Sequence, residues 1–218
     1  MGMVPPLRAV LVDADGVLQF TAPSWRDGIT DTVGQDDMAR HPRLLDEIAK
    51  AEGPRTMTGE ADLEHSLGTV LERYDDVDLE PADVIEAWHD IEVHDDVLQG
   101  VRELAGRGVI RALTTNQNPP RAAWMRANLP YDELFDAQFY SCEIGLAKPD
   151  PAYFRHVLET LGVHAEDALF LDDTLGNVES AARLGLRAEL FARDAGREEL
   201  DRILALHGLG HPAARAGN

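Results

Sequence analysis

Cysteine is nearly absent from this chain of 218 residues, because Cys142 is its single cysteine. One thiol excludes an internal disulfide framework and a four-cysteine metal site, and we interpret Cys142 as structural. Lysine is also scarce, since Lys50 and Lys148 are the only two among 20 basic residues. A lysine in a chain that otherwise uses arginine is a candidate for a specific role.

Long apolar runs are missing as well, and no stretch of 18 apolar residues predicts a membrane span. Residues 1–8 lack the cationic and apolar regions of a signal peptide, which predicts a cytoplasmic location. Basic side chains are outnumbered by 40 acidic ones, giving a formal charge of -20. Such a surface repels nucleic acid and anionic membranes. We therefore expect neither as a partner, and any site for an anionic ligand must be built locally.

Four short apolar runs predict buried β-strands, at residues 8–12, 109–114, 168–171 and 187–191. Helical patterns lie between them, such as the apolar stripe of Val97, Val101 and Leu104. Alternating strands and helices are typical of a parallel sheet that is covered on both faces. The sequence therefore predicts an α/β fold with a doubly wound, Rossmann-like core.

The stretch from residue 19 to residue 94 differs, because it carries helical stripes and no convincing strand. Three apolar stripes at helical spacing occur there: Leu44, Leu45 and Ile48; Leu63, Leu67, Val70 and Leu71; and Val84, Ile85, Trp88 and Ile91. We interpret this stretch as a small helical bundle inserted after the first strand. The predicted domains are a core of residues 1–18 and 95–218, and a helical cap of residues 19–94.

Polar residues follow three of the predicted strands, at the edge where open parallel sheets bind their ligands. These residues are Asp13 and Asp15; Thr115, Asn116 and Gln117; and Asp172 and Asp173. Two adjacent acids repel one another, which favours a cation nearby. Asn118 before Pro119 and Asp150 before Pro151 indicate two capped helix starts. Each segment alone also fits an ordinary turn or cap, so only their combination is specific.

In combination and in this order, the segments resemble the four motifs of the haloacid dehalogenase superfamily. The resemblance is to its phosphatase-rich branch, subfamily IA, in which a helical C1-type cap follows the first motif. Residues 10–18, 113–116, 145–151 and 169–173 with Asn177 match the four motifs. The match covers nearly the whole chain, although the cap matches by position and helicity only. Ala14 is smaller than the residue often found between the two acids, and Asp15 argues against the dehalogenating members, which lack an acid there.

The resemblance implies a Mg²⁺-dependent phosphohydrolase that acts on small phosphorylated metabolites through a phospho-aspartate. Asp13 would be the nucleophile and Asp15 the general acid and base. Thr115 and Lys148 would hold the phosphoryl oxygens, and Asn116 would help to bind the substrate.

The resemblance also implies the metal ligands and the region that meets the leaving group. Mg²⁺ prefers hard oxygen ligands, and Asp13, Asp173 and the main-chain oxygen of Asp15 would bind it, with Asp172 assisting. The four motifs do not distinguish one leaving group from another, so the cap is expected to do so. Gln19 and Trp25, near the entry to the cap, are the residues expected to contact the substrate.

Three alternatives remain open at this point. A sugar phosphomutase of the same superfamily shares all four motifs. A receiver-like phosphoacceptor domain combines similar residues, but its paired acids lie at the first strand, whereas here they follow Lys148. A non-catalytic scaffold is the third alternative, and the intact motifs disfavour it.

Overall fold

The computed structural model describes residues 6–21, 25–193 and 195–210. Its seven described strands are β1 Ala9–Val12, β2 Gln19–Thr21, β3 Ile91–Val93, β4 Ile110–Thr115, β5 Ala137–Tyr140, β6 Ala168–Asp172 and β7 Arg187–Leu190. Five of them form one sheet in the order β5-β4-β1-β6-β7, and every neighbouring pair in it is parallel. The predicted α/β fold with a parallel sheet is confirmed, and β5 is a strand that the sequence analysis did not identify.

The central strand β1 explains why the sheet needs helices on both faces. All four of its residues are fully buried, with Ala9 and Leu11 in one apolar cluster and Val10 and Val12 in another. Successive strand side chains point to opposite faces, so an entirely apolar strand must be covered twice.

Helices of the core supply that cover. The cluster around Val10 includes side chains from Asp95–Arg102, Pro119–Asn128, Tyr131–Leu134 and Arg197–Leu206. The cluster around Leu11 includes side chains from Pro151–Leu161 and Leu175–Arg183. Two short elements, the helix Ser141–Ile144 and the 3₁₀ turn Ala165–Asp167, complete the core.

Two helix starts follow the predicted capping chemistry. The Asn118 side chain accepts a hydrogen bond from the Arg121 amide at 3.0 Å, with Pro119 in the first turn. Asp150 accepts from the Ala152 amide at 2.8 Å, with Pro151 beside it. Both caps satisfy N–H groups that have no partner inside the helix, which fixes where each helix begins.

The inserted segment is helical and packs around its own apolar cluster. Its described helices are Trp25–Val33, Gln35–Arg40, Leu44–Ala51, Pro54–Met57, Leu63–Leu71 and Pro81–Ala87. Ile48, Leu67 and Val84, one from each predicted stripe, are fully buried in that cluster. None of the helices within the described ranges has the length and apolar character that crossing a bilayer requires.

The expectation that residues 19–94 contain no strand is wrong. Strands β2 and β3, at the two ends of the insertion, pair antiparallel, with Gln19 opposite Val93 and Thr21 opposite Ile91. Ile91 therefore belongs to a strand and not to the third helical stripe. Because the two connections lie side by side, they join the helical segment to the core as a short two-stranded ribbon.

Candidate active site

The candidate active site lies where the three central strands of the sheet end. Val12 of β1 is level with Leu113 of β4 and Leu171 of β6, so the residues that follow them converge on one edge. A cavity of about 280 Å³ opens there, which we call the site cavity. It is lined by Asp13, Asp15, Met57, Thr115, Asn116, Lys148, Asp173, Thr174, Asn177 and Arg193.

A tight turn after β1 brings Asp13 and Asp15 to the same cavity. The amides of Leu18 and Gln19 both donate to the carbonyl oxygen of Ala14, at 2.8 and 3.0 Å. Gly16 has φ +88°, a left-handed conformation that glycine adopts readily. A Cβ atom at this glycine would overlap the Asp173 carboxylate. The motif glycine is therefore required both by the turn and by the close approach of a second acidic segment.

Lys148 is the buried cation beside Asp13 and Asp172. Its ammonium lies 2.9 Å from Asp13 Oδ1 and 2.6 Å from Asp172 Oδ2, and it donates to the Thr114 carbonyl oxygen at 2.8 Å. A lysine ammonium has three N–H donors, and these three contacts account for them. Lys148 is only 4% exposed, so it is part of the interior and not a solvated surface lysine. Its contacts position the side chain of Asp13 and balance part of the local charge.

Asp172 is fully buried, and its carboxylate is surrounded by protein donors. Besides Lys148, it accepts from Asn177 Nδ2, which lies 3.0 Å from each carboxylate oxygen, and from the Thr174 amide at 2.8 Å. These hydrogen bonds and the ion pair stabilise the carboxylate of Asp172, whose burial without partners would be very unfavourable. Asp172 therefore holds Lys148, whereas its neighbour Asp173 is half-buried and faces the site cavity.

The electrostatics of the cluster call for an additional cation. Burial raises the pKa of Asp13 well above its ordinary value, and Asp172 adds to this, while Lys148 opposes it. Burial would lower the pKa of Lys148, but the carboxylates of Asp13 and Asp172 outweigh it and raise that pKa. Burial also raises the pKa of Asp173. If all three carboxylates were ionised, the one ammonium would leave two negative charges uncompensated.

The arrangement of these carboxylates fits a divalent metal ion. Asp13, Asp172 and Asp173 each offer one oxygen, and these three atoms lie within 4.8 Å of one another. All are hard oxygen ligands, which suit Mg²⁺ better than a softer metal ion. The donor set and the excess charge are therefore both compatible with Mg²⁺.

Asp15 is held by three donors from outside the metal cluster. Arg121 lies 2.7 Å from Asp15 Oδ1, Gln19 donates to the same oxygen at 3.1 Å, and Gln117 donates to Oδ2 at 2.5 Å. Arg121 and Gln117 are themselves buried. The carboxylate is thus oriented by protein contacts while its residue still lines the site cavity.

Thr115 and Asn116 end β4 beside the nucleophile candidate. Thr115 is buried, lines the cavity and accepts from Gln117 Nε2 at 3.1 Å. Asn116 accepts from the Lys148 amide at 2.9 Å and donates to the Lys148 carbonyl oxygen at 2.8 Å. This reciprocal pair fixes the backbone that carries Lys148, so Asn116 supports the site in addition to lining its wall.

The two residues expected to contact the substrate differ in their placement. Gln19 is fully buried behind Asp15, where it also accepts from the Tyr131 hydroxyl at 2.7 Å, and it is not part of the cavity wall. The ring of Trp25 packs edge-on against that of Trp88, with 6.0 Å between the two ring centroids. Trp25 lines a second cavity, of about 380 Å³, which we call the cap cavity. Its walls are Thr21, Trp25, Ala49, Glu52, Trp88, Arg121 and Arg193.

Several functional candidates had no assigned role from the sequence. Gln117 follows a strand and was noted only for its position, while Arg121, Met57 and Arg193 carry no motif signal. Their roles depend on contacts between segments that are distant in the sequence. Arg121 and Asp15, for example, are 106 residues apart. Only the position of Arg121 in the first turn of a capped helix after the second motif could have directed attention to it.

Cys142 is unsuited to act as a nucleophile. Burial, with a smaller contribution from Glu143, raises the pKa of its thiol to about 11. Little of the reactive thiolate would form near neutral pH. Cys142 is also outside the set of residues that line the site cavity.

Fold and site together define a class of proteins. A parallel sheet with acids at the ends of β1 and β6, a threonine at the end of β4 and a buried lysine agree with one known family. The sequence pattern of the haloacid dehalogenase-like hydrolases matches residues 7–185, well over half of the chain. The chain therefore belongs to the haloacid dehalogenase-like hydrolase family.

Individual relatives are similar over different shares of the chain. A phosphoglycolate phosphatase from Rhodospirillum rubrum is 29% identical over 211 residues, which cover 91% of this chain and 85% of that protein. A drimenol cyclase from Aspergillus calidoustus is 44% identical over 82 residues, which cover 38% of this chain and only 15% of that protein.

Solved structures share the fold. A HAD family enzyme from Bacteroides thetaiotaomicron, crystallised in complex with magnesium and inorganic phosphate, has a TM-score of 0.73 at 19% identity. The superposition covers 89% of this chain and 98% of that one. At this identity the similarity establishes the architecture, and the chemistry must be argued from the site.

Proposed function

We propose that the protein is a phosphatase that hydrolyses small phosphomonoesters through a phospho-aspartate on Asp13. One observation carries this proposal. Asp13 is held by the buried Lys148 at 2.9 Å beside a cluster of carboxylates, and Asp15 lines the same cavity two residues further on. A nucleophilic carboxylate next to a second, separately held carboxyl group is what a two-step phosphoryl transfer needs.

Each step can be written with its bonds and protons. An oxygen of Asp13 attacks phosphorus, the ester P–O bond breaks, and the leaving alkoxide takes a proton from the carboxylic acid of Asp15. Water then attacks phosphorus and gives a proton to Asp15, while the bond between phosphorus and Asp13 breaks. Inorganic phosphate leaves, and both residues return to their starting forms. Thr115 is proposed to hold a phosphoryl oxygen. Lys148 is proposed to do the same by sharing one of the three N–H donors that contact Asp13, Asp172 and Thr114 in this structure.

Mg²⁺ is the proposed cofactor. Asp13 and Asp173, with the main-chain oxygen of Asp15, would hold it, and Asp172 would assist mainly through Lys148. When bound, Mg²⁺ supplies positive charge that offsets the carboxylates and the phosphoryl group. The magnesium and phosphate named for the Bacteroides enzyme and the activity named for the Rhodospirillum relative agree with this assignment.

Residues 19–94 are proposed to act as a cap that selects small substrates, with residues 1–18 and 95–218 as the core. Glu52 of the inserted segment accepts from Asn118 of the core at 2.5 Å, and the Met57 carbonyl oxygen accepts from Ser141 at 2.6 Å. His89 stacks on Trp124, with 5.3 Å between the ring centroids. These contacts join the helical segment to the core, and Met57 of the segment lines the site cavity, which supports a role in limiting the access of water and of large substrates.

A phosphatase assay with chelation tests the activity and the metal together. The wild type should release inorganic phosphate from p-nitrophenyl phosphate when Mg²⁺ is present and lose that activity in chelator. Readdition of Mg²⁺ should restore it. Full activity after metal removal and dialysis would contradict the magnesium assignment.

Two substitutions separate the nucleophile from the acid. Asp13→Asn should abolish a covalent phosphoprotein, whereas Asp15→Asn should slow proton transfer, an effect of roughly 10²–10⁴-fold on rate. Intact-protein mass spectrometry after rapid quenching would detect the intermediate. A phosphoprotein trapped on the Asp13→Asn variant would refute the nucleophile assignment.

The products and an isotope label separate this proposal from its rivals. A phosphomutase would return an isomeric sugar phosphate with little inorganic phosphate, and a receiver domain would become phosphorylated without turnover. In water enriched in heavy oxygen, hydrolysis at phosphorus labels the released phosphate. Attack of water on the Asp13 carbonyl carbon, as for an ester formed by dehalogenation, would place the label in the protein.

A further inference from the structure

Arg193, on the loop after β7, connects the two cavities. Among the residues that line them, it is the one that belongs to both the site cavity and the cap cavity. It is exposed, and its guanidinium carbon lies 5.7 Å from the ring centroid of Phe20, the middle residue of β2. Arg193 therefore stands between the point of phosphoryl transfer and the space available to a leaving group.

Among the described residues, Arg193 has no carboxylate partner at ion-pair distance, although its charge acts on Asp173 from further away. The other arginine of the cap cavity, Arg121, is paired with Asp15 at 2.7 Å. Glu52 faces the same cavity, but it is occupied by a hydrogen bond from Asn118. No carboxylate within residues 6–21, 25–193 and 195–210 pairs with the Arg193 guanidinium. In a chain of formal charge -20, this arginine supplies positive charge beside a ligand cavity.

The walls of the cap cavity limit the shape of what it can hold. Trp25 and Trp88 contribute apolar ring surface to its walls, and the volume of about 380 Å³ suits a small organic group. Glu52 would repel a doubly charged group such as a second phosphate. Of the two arginines that line this cavity, Arg193 is the one without an ion pair among the described residues, and a carboxylate matches its planar pair of N–H donors.

We infer that Arg193 binds a carboxylate on the leaving group of the substrate, so that the preferred substrates are small phosphorylated carboxylic acids. This inference rests on the proposed phosphatase function and adds a specificity-determining residue to it. The carboxylate contacts Arg193 where the two cavities meet, and the carbon skeleton lies against Trp25 and Trp88.

A matched pair of substrates tests the inference. 3-Phosphoglycerate and glycerol 3-phosphate have the same carbon skeleton. The first carries a carboxylate where the second carries a hydroxymethyl group. The wild type should have the higher kcat/KM for 3-phosphoglycerate. Arg193→Gln should lower that value by roughly 10- to 100-fold, as the loss of a charged hydrogen bond implies, and change the value for glycerol 3-phosphate less than about 3-fold. Arg183→Gln, at an exposed arginine on the helix Leu175–Arg183, is the control and should change neither.

The possible outcomes are distinguishable. An equal loss on both substrates would place Arg193 at the phosphoryl group or at the metal cluster, where its charge also acts on Asp173, and would overturn the inference. No change on either substrate would make it a surface residue and would overturn it too. If the wild type hydrolysed neither substrate nor p-nitrophenyl phosphate, the proposed function itself would fail, and the inference with it.

Discussion

Replacing Lys148 by methionine would remove the one ammonium from the buried cluster while keeping most of the side-chain volume. The ammonium is 2.9 Å from Asp13 and 2.6 Å from Asp172, and all three residues are at most 6% exposed. Coulomb's law with an effective dielectric constant of about 20 gives roughly 6 kcal/mol for each contact. Desolvation of the ions opposes this, and removal of one partner from a buried pair typically costs about 3–5 kcal/mol.

Protonation of Asp13 sets an independent upper limit on the loss of unfolding free energy in the Lys148→Met variant. Without Lys148, the pKa of Asp13, already raised by burial, rises further, because the ammonium that opposed this shift is gone. Neutralising a carboxyl group of ordinary pKa costs about 4 kcal/mol at pH 7 and about 1.5 kcal/mol at pH 5, and these values are upper limits here because the pKa of Asp13 is already raised in the wild type. A carboxyl whose pKa is raised in the folded state stabilises the fold at low pH, and this stabilisation is lost as the pH rises. The destabilisation of the variant should therefore be larger at pH 7 than at pH 5.

Urea unfolding at the two pH values, in chelator so that no metal contributes, measures this difference. Lys148→Met should lose at most about 4 kcal/mol of unfolding free energy relative to the wild type at pH 7, and at most about 1.5 kcal/mol at pH 5. Lys50→Met, at the exposed second lysine, should change it by less than about 0.5 kcal/mol. A loss that is equal at the two pH values, or no larger than that of the control, would refute the assignment of Lys148 as a buried counter-ion.

Three further substitutions test individual contacts. Gly16→Ala should weaken Mg²⁺ activation, measured as a higher Mg²⁺ concentration for half-maximal activity, because the added Cβ displaces Asp173; unchanged activation would contradict the close approach. Gly59→Ala should raise KM and lower the free energy of unfolding, since Gly59 has φ +72° and its Cβ would lie 2.6 Å from the Cys142 carbonyl oxygen, where the inserted segment meets the core; unchanged values of both would contradict this contact. Asn177→Ala should cost about 1–3 kcal/mol of unfolding free energy, because the buried carboxylate that it contacts loses both of its side-chain amide bonds. A change below about 0.5 kcal/mol would show that water replaces this amide.

The sheet could be predicted from the sequence because its signals are local. Buried strands such as β1 are short apolar runs. The helices that begin after Asn118 and Asp150 are capped by these residues, each of which is followed directly by a proline. The acids at the strand ends follow from the same reasoning, since parallel strands bring their carboxyl ends to one edge. What these residues do chemically was taken from the resemblance, and the roles of Asp13 and Asp15 remain predictions.

The features that were missed depend on pairing over long distances. Strands β2 and β3 have only three residues each and lie about 70 positions apart, so neither shows the alternation that identifies a strand. Each is stabilised by the other, and no window of sequence contains both. Burial of Lys148 was equally hidden, because a lone lysine in a segment before a helix is typical of the surface, and its two carboxylate partners come from distant segments.

The environment of Asp15 connects the inserted segment to the chemistry of the core. Gln19, the first residue of β2, donates to Asp15, while Gln117 and Arg121 reach the same carboxylate from the segment after β4. A movement of the ribbon that carries the helical segment would shift Gln19 but leave the other two donors on the core. The acid would then keep its orientation toward the site cavity while its contact with the ribbon changed. Gln19 is therefore better placed to couple the position of the helical segment to Asp15 than to recognise a substrate directly.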